Sequence, residues 1–123
     1  MTNVRLLYRL EWLALALLAL VVTIVRVDWS APANVWLAII FLALPDLSLL
    51  TFGAGRRGAA WPYAFYNVLH SLVVWAAAVA LVFALNLGWQ AALLAWFVHI
   101  SLDRALGFAL RRADGTIAGP AAP

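Results

Sequence analysis

Residues 6–25 read LLYRLEWLALALLALVVTIV. Twenty mostly apolar residues are what a helix needs to cross the hydrocarbon core of a bilayer. The stretch has an Arg-bearing start like a secretory leader. However, Val22-Thr23-Ile24-Val25-Arg26 supplies no small-x-small cleavage pattern, and Arg9 and Glu11 intrude near its start. The expectation is an uncleaved first membrane helix. Three further apolar stretches follow, at residues 35–51, 63–85 and 89–110. The second is short unless residues 29–34 extend it.

Composition supports the same reading. Of 123 residues, 67% are hydrophobic and only 11% charged, with 7 Trp and a mean hydropathy of +1.00. An ordinary soluble domain is roughly 25% charged, and so small a soluble fold could not hide this much apolar surface. A soluble globular protein, a disordered chain and a water-facing nucleic-acid binder are therefore excluded. The net charge of +3 comes with eight basic residues, all Arg, and most of them flank apolar runs. Without Cys, neither a disulfide nor a thiolate ligand is possible. Abundant Arg, Ala, Gly and Pro without Lys fits a GC-rich bacterial genome.

The connectors at residues 27–32, 53–58 and 86–88 are brief, so successive helices are expected to be antiparallel neighbours. Arg5, Arg9, Arg56, Arg57, Arg111 and Arg112 fall on one side, whereas Arg26 stands on the other beside Asp28. The positive-inside rule then puts both termini in the cytoplasm. The expected architecture is an all-α, four-helix transmembrane bundle over residues 1–112, N-in and C-in. It would sit in the bacterial inner membrane, with residues 113–123 as a short flexible cytoplasmic tail. Trp29, Trp36 and Trp89 would form the outer aromatic belt, with Trp12, Trp61 and Tyr63 near the inner one. The Ala-rich run at residues 76–80 reads as a close helix-packing surface.

Ionisable residues inside a membrane span are costly and mostly functional. Glu11, Asp46, His70, His99, Asp103 and Arg104 lie within the apolar stretches, and the topology places them all in the cytoplasmic half or near the midplane. His99 and Asp103 are four apart and share a helix face, which Trp96 and Gly107 extend. Gly107 there would let another helix approach. Asn67, His70 and Ser71 share a face of the third helix, and Pro45 frees the Phe41 carbonyl beside Asp46. One polar cavity open to the cytoplasm is the expected result, with Arg104 at its edge.

Two imidazoles and two carboxylates, from Asp46, His70, His99 and Asp103, are the ligand types of a divalent-metal site for Zn, Mn or Fe. The same residues could instead do acid–base chemistry or relay protons, with Asn67 orienting substrate or water. A third reading is a structural network in which Asp103 pairs Arg104 or Arg57 and each His bonds a carbonyl. Residues 53–58 match G-x-G-x-x-G, but the motif follows a membrane helix rather than a strand, so the dinucleotide reading is rejected. Arg56 and Arg57 read as topology anchors, with a secondary role on lipid phosphate. Glu11 either snorkels with Arg5 or Arg9 or joins the cavity.

Pro45-Asp46-Leu47-Ser48, Tyr66-Asn67-Val68-Leu69-His70 and His99-Ile100-Ser101-Leu102-Asp103-Arg104-Ala105-Leu106-Gly107-Phe108, with the early Arg9-Leu10-Glu11, resemble the bacterial family called "domain of unknown function 4260". The likeness runs to Arg112. It departs at Ser101, often Gly in the family, and at Phe108, often Tyr, without touching the ionisable set. The resemblance implies a four-helix membrane protein and no particular activity. A weaker likeness is to membrane-bound metal-dependent hydrolases, which order a Pro-Asp motif, a His and a His-x-x-x-Asp motif as here. Their His-Arg and Thr-His-Ser signature is absent, so this is an analogy.

Three functions follow as expectations. The first is an enzyme acting on a lipidic or amphipathic substrate at the cytoplasmic leaflet. The second is a proton-coupled carrier that works as a homodimer. The third is an assembly or accessory protein whose polar cluster only fixes packing. The outer halves of the helices lack ionisable groups apart from Arg26, and a dead-end site suits an enzyme better than a transport path. The expected partners are the lipid bilayer and a small lipidic substrate, without nucleic acid.

Overall fold

The computed structural model describes residues 3–119 and is all-helical. The helices are α1 (Asn3–Arg26), α2 (Pro32–Ala43), a 3-10 helix (Leu44–Thr51), α3 (Trp61–His70), α4 (Leu72–Ala84) and α5 (Gln90–Leu106). Two helical runs, Asn3–Arg26 and Pro32–Thr51, are long and apolar enough to cross a membrane. The α3–α4 pair makes a third if its two parts count as one bent span. Large apolar side chains point outward all along these runs, for example Leu18, Val25, Leu50 and Val73. In water that surface would be unsatisfied, whereas in lipid it is the solvated one.

α5 is the centre of the molecule. Its Ala92, Leu93, Ala95, Trp96, Val98, Ile100 and Ser101 are all buried. α1 lies along it through Ala16, Ala19 and Thr23, small residues that recur at helical spacing and let two backbones approach. Thr23 keeps its hydroxyl satisfied on the Ala19 carbonyl at 2.7 Å. Val27 and Ala38 pack on Ala95, and Val82 of α4 packs with Leu93, Trp96 and Ile100. Of the Ala-rich run, Ala78 packs on this core, while Ala76, Ala77 and Ala80 are exposed. The run is thus not the packing surface the sequence suggested.

Two apolar stretches that read as continuous helices are broken. At Pro45 the second passes from α-helix to 3-10 helix, because a proline has no N–H for the fourth carbonyl back. The third bends by 54° between His70 and Ser71. Ser71 is extended and starts α4 afresh, its hydroxyl accepting from the Val73 and Val74 amides. The fourth stretch stops at Leu106, four residues short of expectation. Gly107 takes a left-handed φ of 98° and caps α5, with the Phe108 amide donating to the Asp103 carbonyl at 2.8 Å. Gly107 thus ends the helix.

After Gly107 the chain returns beneath α3. The Arg112 amide bonds the Thr116 carbonyl and the Ala118 amide the Leu110 carbonyl, both at 2.8 Å, around an Arg111–Ile117 bridge. Asp114 accepts from the Thr116 hydroxyl and amide, which holds its carboxyl below the usual carboxylate range. Asp28 does the same with Ser30 at the first connector. Of the expected tail, residues 120–123 lie outside the described residues.

Candidate metal centre

The two backbone breaks and α5 bring the ionisable residues together. His70 is the last residue of α3, Asp46 lies in the first turn of the 3-10 helix, and His99 and Asp103 stand one turn apart on α5. His70 Nε2 lies 3.1 Å from Asp103 Oδ2, and His99 Nε2 lies 3.5 Å from the same oxygen. Asp46 Oδ1 is 3.4 Å from His99 Nε2. One potential ligand atom from each of Asp46, His70 and His99 falls within 4.8 Å of the others. These three could hold a metal ion between them, and Asp103 joins the cluster through its contacts with the two imidazoles.

Each imidazole is oriented by its other nitrogen. His70 Nδ1 is 2.8 Å from the Tyr66 carbonyl, and His99 Nδ1 is 2.8 Å from the Leu42 carbonyl. A carbonyl oxygen can only accept, so both Nδ1 atoms carry a proton and donate it. In the neutral rings both Nε2 atoms are then bare lone pairs, aimed at carboxylate oxygens that are themselves acceptors. Both Nε2 atoms are buried without a hydrogen-bond partner among the described residues. An acceptor-only cluster is repulsive unless a cation or extra protons sit in it. Backbone carbonyls that fix the tautomer and turn of an imidazole are the usual outer support of a metal-binding histidine.

The Leu42 carbonyl is available because of the proline. In the 3-10 turn the Asp46 amide pairs three residues back, leaving the Leu42 oxygen without its α-helical donor. The sequence pointed to Phe41, and the oxygen that His99 uses belongs to the next residue. The bend at His70 is held in a similar way, since the buried Trp96 indole donates to the Leu69 carbonyl at 2.8 Å. Tyr66 stacks on His70 with ring centroids 3.7 Å apart.

Other expected members stand elsewhere. Asn67 is not turned toward the cluster. Its amide nitrogen donates to the Arg111 carbonyl and its oxygen accepts from the Arg111 amide, each at 2.7 Å. Both of its polar atoms are thus engaged in tying the returning chain to α3. Glu11 is exposed and makes no ion pair among the described residues. Arg104 lies over the Trp12 ring at 5.0 Å instead of pairing Asp103, so the Arg half of the structural network considered from sequence is not seen among the described residues, whereas its other half, each His bonding a carbonyl, is.

Among the described residues the cluster is packed closely and not set around an open cavity. The residues contact one another directly, and Tyr66, His70, Asp103 and Arg104 line a space of only about 10 Å³. The cluster reaches solvent or lipid through Asp46, whose side chain is 57% exposed against 4% for His70. Tyr66 and the Leu42 carbonyl were not recognised as site elements from sequence, and Trp96 was placed on the His99–Asp103 face without its bond to Leu69. Tyr66 could have been, because it stands one helical turn before His70.

The fold and the site define an all-helical chain with two to three membrane-length apolar spans and a His/Asp cluster of metal-ligand type. Residues 5–118 match the family described as Domain of unknown function (DUF4260), and the chain belongs to that family. No curated protein and no solved structure matches it.

Proposed function

We propose that this chain is a small four-pass protein of a bacterial inner membrane, with both termini cytoplasmic. Residues 1–112 form its one domain and residues 113–123 its tail. Asp46, His70, His99 and Asp103 hold a divalent cation at the depth of the cytoplasmic leaflet and act on a lipidic or amphipathic substrate. The observation that carries this reading is the pair of carbonyl-fixed imidazoles, whose bare Nε2 atoms face two carboxylates with no donor between them. Ligands about 2.0–2.1 Å from a tetrahedral Zn stand about 3.3–3.4 Å apart. Three of the six ligand pairs, at 3.1, 3.4 and 3.5 Å, bracket that spacing.

A bound divalent ion would polarise a substrate oxygen and acidify a water. His70, His99 and Asp103 are the less exposed members and serve as the fixed ligands. Asp46 stands on the open side, where it can ligate or take a proton from an incoming water. Asn67 acts at a distance by holding the chain that closes the cluster from below.

The carrier alternative needs a path to the other membrane face. A separate cavity of about 340 Å³ lies at the opposite end, lined by Arg26, Asp28, Asn34 and Gln90 among others. Leu93, Ala95 and Trp96 are buried along α5 between that cavity and His99, and they favour a dead-end site.

Metal analysis of detergent-purified protein tests the centre. The expected result is about one Zn, Mn or Fe per chain in the wild type and background metal in His99→Ala. Background metal in both would refute the reading. Reporter fusions test the topology: those after Arg112 and within residues 53–58 should read cytoplasmic, and one at Ser30 periplasmic. A periplasmic signal at Gly55 would overturn the orientation.

A further inference from the structure

A polar cavity of about 340 Å³ opens at the end of the molecule away from the metal cluster. Arg26 closes α1 and Pro32 opens α2, so the cavity lies where two membrane-length runs reach one membrane surface. That is the level of the lipid headgroups. A cation and an anion, Arg26 and Asp28, both line it. No ion pair among the described residues joins them or includes either. Instead, Asp28 Oδ1 accepts from the Ser30 amide at 3.0 Å and from the Ser30 hydroxyl at 2.6 Å. Those bonds use one carboxylate oxygen, fix the group in place and favour its charge. Asn34 and Gln90 add side-chain amides, which both donate and accept. Trp89 lines the wall, its ring set at 67° to Phe41 with centroids 6.0 Å apart. One helical turn deeper in each element, Val22, Leu37 and Leu94 give the cavity an apolar side.

The volume falls in the range of small-molecule sites, about 300–1,000 Å³. A ligand with only negative charge would face Asp28, and one with only positive charge would face Arg26. A zwitterion meets both. Its phosphate suits a guanidinium and amide donors, and its ammonium suits a carboxylate and an indole face. The apolar side one turn deeper is where the acyl chains of such a headgroup would begin. We propose that this cavity binds the headgroup of an aminophospholipid, with the phosphate on Arg26 and the ammonium on Asp28. The site is separate from the metal centre and does not depend on it.

Protein in neutral detergent is titrated with dioctanoyl phosphatidylethanolamine, dioctanoyl phosphatidylglycerol, dioctanoylglycerol and phosphoethanolamine, reading the melting temperature. Phosphatidylethanolamine should raise it at the lowest concentration. Phosphatidylglycerol keeps the phosphate without the amine and should bind at least about tenfold more weakly. Dioctanoylglycerol should give no rise. Phosphoethanolamine, which has no acyl chains, should bind more weakly than the lipid. An equal affinity would make the ligand a free zwitterion and overturn the lipid assignment. Asp28→Asn keeps the oxygen that Ser30 uses, and it should erase the preference for phosphatidylethanolamine over phosphatidylglycerol. Arg26→Gln should weaken both lipids at least about tenfold. If Asp28→Asn does not fold, Arg26→Gln decides on the same readout. The proposal is overturned by no rise with phosphatidylethanolamine or an equal rise with phosphatidylglycerol or dioctanoylglycerol. A preference that survives in Asp28→Asn, or an undiminished response in Arg26→Gln, overturns it too.

Discussion

Zinc should raise the melting temperature of the solubilised wild type, and His70→Ala should abolish the shift. A ligand at 100 to 1,000 times its dissociation constant stabilises by about 2.7–4.1 kcal/mol. For a chain of this size that is on the order of 10 °C. His70 contributes a buried Nε2 at 3.1 Å from Asp103 Oδ2, so its loss removes a ligand from the cluster. Truncating a ring stacked on Tyr66 also leaves a void. Asp103→Asn separates the two effects because it keeps the volume. With metal, this variant should lose most of the shift. Without metal, it should be as stable as the wild type or more so, because an amide N–H can donate to a bare Nε2. A purely structural imidazolium–carboxylate network predicts the reverse, a less stable metal-free variant. That outcome, or an undiminished zinc shift in Asp103→Asn, would refute the metal centre.

Trp96→Ala should be the most destabilising single change in the core, by about 3–5 kcal/mol. Trp96 is 5% exposed and packs with Val82, Leu93 and Ile100, with Phe41 edge-on at 6.1 Å. In lipid, much of what is lost is close packing, since hydrocarbon outside the bundle is as apolar as the core. Trp96→Phe isolates the polar part. It keeps a ring but leaves the Leu69 carbonyl at the α3–α4 bend without its donor, at a cost of about 1–3 kcal/mol. Since His70 sits at that bend, Trp96→Phe should also weaken zinc binding, about 10-fold to 100-fold if it acts like other outer-support losses. Reversible unfolding in mixed micelles with a zinc titration measures both. Wild-type zinc affinity in a destabilised Trp96→Phe would show that the indole supports the core but not the site.

The helical class, the membrane-length apolar runs and the identity of the four clustered residues were legible in the sequence. Each depends on local information: hydropathy over a span's length, the cost of an ionisable group within it, and the four-residue spacing of His99 and Asp103. The family resemblance rested on the same short motifs. The tertiary structure alone decided how the residues meet. Hydropathy does not register a change of hydrogen-bond register, so the bend at His70 and the 3-10 course after Pro45 were hidden inside apolar runs. The roles of the Leu42 and Leu69 carbonyls depend on α5 lying against those breaks, which no periodicity encodes. Asn67 shares a helical face with His70, yet its amide is engaged by the Arg111 backbone, 44 residues along the chain. Sequence spacing fixes which side chains share a helix face. Which of them meet is set by long-range packing, and here that packing turns both Nε2 atoms toward the carboxylates of Asp46 and Asp103.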